Sequence, residues 1–148
     1  MGLAALALGM VLVSSARAAP PCPGESTVEL NQCYADRLSA ANATLGRYQA
    51  AVRKRLRDDA AAGQPDDKSA ADALRGFATA EALWEKYRDA ECGAVYDYWS
   101  GGTIRGVESL TCSLRITTRH THTIWALWLT YMDSTPPILP EPPTAEPD

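Results

Sequence analysis

Apolar residues recur at steps of three and four from Leu30 onward, through Tyr34, Leu38, Ala41, Leu45, Tyr48, Val52 and Leu56. That spacing keeps one face of an α-helix toward a neighbour. Ser26 is followed three residues later by Glu29, a pair in which each side chain can satisfy a free backbone N–H of the first turn, so the helix is expected to start at about Thr27. Gly63, followed by Gln64-Pro65, is expected to end it. Gly46, inside the pattern, marks a bend or a close approach of another backbone. A second helix, capped by Asp66 or Asp67, carries the inward positions Leu74, Phe77, Ala80, Trp84, Tyr87, Cys92 and Val95 and ends near Tyr98. Ser100-Gly101-Gly102-Thr103 is a turn signal, and Gly106 extends the loop. The last periodic run is Leu110, Leu114, Thr117, Thr121, Ile124, Trp128 and Met132. Its β-branched residues favour strand, but its period is helical, and period decides.

The two ends of the chain break the pattern in opposite ways. Met1 to Ala18 is an apolar run, Leu3 to Val13, closing on Ala16-Arg17-Ala18, which reads as a secretory signal peptide. It is too short to span a bilayer, and no later stretch reaches the roughly 20 apolar residues a spanning helix needs. No Lys or Arg precedes the apolar run, where signal peptides carry positive charge, which points to a start codon upstream of Met1. Pro136 to Asp148 holds six prolines among acids, a composition that builds no core and is expected to be a disordered, extended tail. The expected organisation is a signal peptide over 1–18, one helical domain over 19–133 and a Pro-rich acidic tail over 134–148.

Export changes how the cysteines are read. Cys22, Cys33, Cys92 and Cys112 are an even number in an exported chain of modest size, and imply two disulfides. Separations of 11, 59 and 20 residues lack the close pairs of a zinc site. Lipidation of Cys22 is disfavoured by Ala19-Pro20-Pro21 ahead of it. If the first two helices are antiparallel neighbours, all four thiols gather at one pole. Three connectivities stay open there, with loop closure mildly favouring Cys22 with Cys33 and Cys92 with Cys112. The fold class is therefore all-α: a small antiparallel bundle of about three helices stapled by two disulfides.

The opposite pole is the hairpin tip, where Arg53, Lys54, Arg55 and Arg57 meet Asp58, Asp59, Asp66 and Asp67; it reads as a solvated tip projecting past the third helix. Removing Met1–Ala18 takes away Arg17 and no acid, so the formal charge of −4 becomes −5. This mild acidity argues against nucleic acid and anionic membranes and is compatible with a basic partner.

Candidate chemistry is sparse. His120 and His122 stand two apart, on different faces of a helix, which is wrong for a metal pair. No carboxylate pair, nucleophile elbow or dyad emerges, so neither an enzyme nor a cofactor or metal site is expected. Trp84, Arg88 and Cys92 fall on one stripe, so Arg88 is expected to stack on Trp84 and find a carboxylate or backbone carbonyl. Gly101 and Gly102 relieve a tight turn rather than cradle a ligand, since no strand precedes them. Trp99, Trp125 and Trp128 read as core or interface aromatics. Arg119 is expected to be held by Glu85 or Glu81 of the second helix.

Trp84-Glu85-Lys86-Tyr87-Arg88-Asp89-Ala90-Glu91-Cys92, then Gly101-Gly102-Thr103, then Cys112 and Thr117-Thr118-Arg119 resemble the lysozyme inhibitor LprI-like family of exported bacterial proteins. Cys22 and Cys33 stand where that family has its leading cysteine pair. The first helix departs from the family's Asp-x-x-Leu-Asn pattern with Asn42-Ala43-Thr44-Leu45-Gly46, and Glu81 stands where the family commonly has glutamine. The resemblance implies a helical, disulfide-bonded periplasmic or secreted protein, with Trp84, Tyr87, Arg88, Asp89, Gly101, Gly102 and Arg119 as mainly structural motif residues. It implies a binding protein that occludes lysozyme or another envelope protein. The rival reading is a non-catalytic structural or stress-related envelope module with no lysozyme contact.

Overall fold

The computed structural model describes residues 22–143 except Pro65; the expected signal peptide and residues 144–148 lie outside the described residues. Three helices, α1 (Thr27–Ala61), α2 (Asp67–Tyr98) and α3 (Arg105–Ile124), are followed without a break by a π-helical turn, Trp125–Leu129. No strand occurs among the described residues. Both ends of α1 and the start of α2 have a local chemical reason. Ser26 Oγ accepts from the Glu29 N–H at 3.3 Å, and Glu29 returns a carboxylate to the Ser26 N–H at 3.1 Å, which completes the capping box. Gly63 closes α1 at φ 68°, a left-handed conformation that glycine adopts without a Cβ penalty. Asp66 caps α2 through the Ser69 N–H at 2.9 Å.

α1 and α2 form an antiparallel hairpin, and α3 returns beside the start of α1, packing most extensively against α1 and then against α2. The core runs through Leu45, Tyr48, Val52 and Leu56 of α1, Phe77 of α2, Ile124 of α3 and Leu129 of the π turn. The inward face of α2 falls on Ala70, Phe77, Glu81 and Cys92. Tyr87, expected inside, is 55 % exposed, because a three-residue step from Trp84 carries it off that face. Ala80, also expected inside, is exposed. Gly46 has open space around it, so no backbone approaches there. The close approach is instead at Gly106, in the first turn of α3, where an added Cβ would lie 2.5 Å from Asn31 Oδ1 of α1.

α3 tolerates its β-branched residues because their hydroxyls turn inward on the helix. Thr118, Thr121 and Thr123 donate to the carbonyls of Leu114, Thr117 and Arg119, four residues back, at 2.9–3.0 Å. Thr117 and Thr121 are buried at 0 % and 2 % exposure, yet no buried side-chain polar atom among the described residues lacks a partner. Both disulfides take the local pairing, Cys22–Cys33 and Cys92–Cys112, with Cα separations of 5.9 and 5.6 Å. All four sit at the pole that holds the start of α1, the end of α2 and the start of α3.

The other pole differs from a plain solvated tip. Arg55 donates to the carbonyls of Trp128 and Thr130, and its guanidinium lies 4.8 Å from the Tyr131 ring centroid. It thus satisfies carbonyls that the π turn leaves open, and a cation is stabilised at that end of a helix. Met132, placed on the α3 stripe by its period, is fully exposed, because the chain turns extended at Thr130 (φ −106°, ψ 170°).

The proline-rich segment departs from the expectation of a disordered tail in its described part. Ile138 N–H donates to Leu129 O at 2.8 Å, Trp125 Nε1 to Leu139 O at 2.9 Å, and the Tyr48 hydroxyl to Pro140 O at 2.7 Å. Leu139 packs on the core, and Pro142 is buried. Composition misses this strap because proline keeps its carbonyl, and here carbonyls are what the bundle's buried donors need.

Candidate functional site

Two places carry chemistry beyond packing. The first is the middle of the bundle, where motif residues of α2 meet α3. Trp84 stacks on His120 with ring centroids 4.0 Å apart and planes at 9°, and the Arg88 guanidinium lies 5.0 Å from the same ring centroid. Arg88 donates to Asp89 Oδ1 at 3.1 and 3.2 Å, to Asn42 Oδ1 at 3.2 Å and to Thr117 Oγ1 at 3.4 Å, so it joins all three helices. His120 Nε2 donates to both Glu81 oxygens at 2.9 and 3.1 Å, and Gln49 Nε2 donates to Glu81 Oε2 at 2.6 Å.

The buried Glu81 is therefore held by His120, not by Arg119. Arg119 is exposed, one residue and about 100° of helix rotation away from the face that reaches α2. Burial pushes the Glu81 carboxyl up, but hydrogen bonds from His120 and Gln49, with the attraction of His120 and Arg53, outweigh it and hold the group below its ordinary 4.5. A carboxyl whose pKa falls on folding adds stability above its unfolded value, and that stability is lost as pH falls through the folded value. Glu81→Gln should therefore flatten the loss of stability below about pH 4.5 in thermal melts across pH. Arg119→Met should leave the melting temperature within about 1 °C, since an exposed charge contributes little.

Beside this cluster an open groove of about 400 Å³ runs between α2 and the end of α3, with Phe77, Ile124 and Trp128 as apolar walls and Glu81 and His120 at its floor. There the Glu81 carboxylate accepts from His120 and Gln49. His122 points elsewhere, donating to Glu141 Oε1 of the strap at 3.1 Å. Trp128 meets Phe77 edge-on, with centroids 5.7 Å apart. Among the described residues, no three His, Cys, Asp or Glu side chains are grouped to hold a metal, and no helix is long and apolar enough to cross a membrane.

The second place is the disulfide pole. Cys92–Cys112 ties the end of α2 to the start of α3, and Ser109 Oγ donates to Cys92 O at 2.9 Å. Arg105 of α3 lies over Tyr96 of α2, 4.8 Å from its centroid. Beyond these ties the connecting turn lifts Tyr98 (83 % exposed), Trp99 (40 %) and Ile104 (39 %) into solvent. Gly101 and Gly102 form the crest, closed by Gly102 N–H to Trp99 O at 2.9 Å. Neither has a positive φ, and a Cβ at Gly101 would meet open space, so the turn does not require glycine there.

Charge is unevenly spread between the poles. Around the disulfide pole, the seven acids Glu25, Glu29, Asp36, Asp89, Glu91, Asp97 and Glu108 stand against the four bases Arg37, Arg88, Arg105 and Arg115. From Arg53 to Arg75, at the tip, six bases face five acids. The sequence places the four cysteines and the Gly-Gly turn at this pole, but not the exposure of its apolar residues, Tyr98 and Trp99 before the glycines and Ile104 after them.

Residues 20–123 match the family model described as Lysozyme inhibitor LprI. The chain belongs to that family. The match ends before the π turn and the strap. No curated protein and no solved structure matches the chain.

Proposed function

We propose that this protein is an exported binding protein of the lysozyme-inhibitor type, which acts by occluding a lysozyme and so protects the cell wall. The family match over residues 20–123 carries the reading. Two disulfides suit an oxidising, extracytoplasmic compartment, and an acidic chain suits a basic partner by speeding encounter. The inhibitor family supports action by binding and not by turnover; Glu81 and His120, which line the groove, are bonded to each other.

The test is lysis of a peptidoglycan suspension by several lysozyme classes near physiological ionic strength, where the Debye length of about 8 Å suppresses loose polyanion effects. The oxidised protein at micromolar excess should slow lysis, and the reduced protein should not. An unchanged rate for every class with the oxidised protein would replace this reading with that of an envelope module without lysozyme contact. The control for the acidic tail is charge neutralisation, Glu141→Gln with Glu146→Gln and Asp148→Asn, because truncation at Pro136 would also strip the strap from Tyr48 and Trp125.

A further inference from the structure

We propose that the turn from Tyr98 to Ile104 at the disulfide pole is the surface by which the protein docks on a cationic face of a folded basic protein. The proposal rests on the inhibitor reading and says which end of the bundle performs it. Single exposed apolar residues are ordinary on any surface. Here Tyr98, Trp99 and Ile104 ride together on one short turn, with the Tyr98 and Trp99 rings edge to face at 5.7 Å. Aromatic side chains give a large contact area for few rotors to freeze, which is why they anchor interfaces.

The acids that flank this turn select the partner. Asp97 stands directly before the turn, Glu108 follows in the first turn of α3 and Glu91 lies two turns back on α2. Against them stands the single cation Arg105 at the flank, which is itself over the Tyr96 ring. This net acidity matches a basic surface and disfavours a second copy of the same pole. The crest itself is bare. Gly101 adds no side chain and has open space above it although its backbone would accept one, so a partner can approach the main chain closely. The base is rigid, since Cys92–Cys112, the Ser109 bond to Cys92 O and the Arg105–Tyr96 contact hold both flanks of the turn. A surface ordered beforehand loses less entropy on binding.

The experiment measures affinity of the oxidised full chain for a basic lysozyme near physiological salt, by interferometry, with three variants. Gly101→Arg places a cation and bulk on the crest where a Cβ meets nothing. Gln64→Arg adds the same charge at the exposed opposite tip. Tyr98→Ala removes the most exposed aromatic of the turn. Gly101→Arg and Tyr98→Ala should each weaken binding roughly 10- to 100-fold with unchanged thermal melts, and Gln64→Arg by less than about twofold. If the wild-type chain binds and Gly101→Arg binds equally well, or Gln64→Arg loses as much, the docking surface is overturned while the inhibitor reading stands. If the wild-type chain binds no lysozyme of any class, both fall. Wild-type self-association that Gly101→Arg abolishes would assign the turn to a second copy and overturn the proposal.

Discussion

Replacing Cys92 and Cys112 together by alanine is expected to lower the melting temperature by roughly 10–20 °C. Their bridge closes a loop of 20 residues, for which restriction of the unfolded chain alone contributes about 3 kcal/mol. Each kcal/mol moves the midpoint of a domain this size by about 3–6 °C. Both sulfurs are also core atoms, with Cys92 and Cys112 only 2 % and 5 % exposed, so the bridge is a packing element as well as a tether. It fastens two helices, whereas Cys22–Cys33 fastens the segment before α1 to the helix's own second turn. Loss of the Cys22–Cys33 bridge should be felt mainly as fraying of that end, at about half the cost or less. Circular-dichroism melts of the two double variants decide this, and equal drops would show that the leading segment is as integral as the α2–α3 clamp.

Truncation after Thr135 is expected to cost about 2–4 kcal/mol and to shift tryptophan emission to the red. The loss sums the burial of Leu139, about 1 kcal/mol for a partly covered side chain, with the acceptors that Trp125 Nε1 and Tyr48 Oη find on the strap, about 1 kcal/mol each. The ordering cost that would oppose docking is reduced because five of the eight residues from Pro136 to Pro143 are prolines, already restricted when free. An unaltered melt and emission maximum after truncation would show that the strap does not belong to the cooperative unit.

These two features also mark how far residue patterns reach. Helix limits were readable because caps are local: Ser26 with Glu29, Asp66 and Gly63 act within four residues of themselves. The stack of Arg88 on Trp84 was readable because a step of four keeps both on one stripe. Partner choice across helices was not. Whether Glu81 meets Arg119 or His120 depends on how far α3 is rotated against α2, and that is set by Ile124, Phe77 and Trp128 packing together rather than by either charge. The strap was illegible for a related reason, since its energy lies in donors on other elements. Tyr48 of α1 is 92 residues from its acceptor and Trp125 stands at the end of α3, and the strap's own composition reveals neither. The exposed turn at the disulfide pole was visible as residues, but only the fold shows that its aromatics are left outside.

The strap also sets an order of events. Helices α1 to α3 are built from local hydrogen bonds and joined by short turns, the kind of topology that folds fast. The Tyr48–Pro140 bond, by contrast, joins residues 92 apart and needs Ile124 and Leu129 already seated to present the surface on which Leu139 lies. A chain emerging N-terminus first can therefore assemble its three helices while the last prolines are still being delivered. Docking of the strap is then the closing step of folding, the one that seals Trp125 and Tyr48 after the bundle already exists.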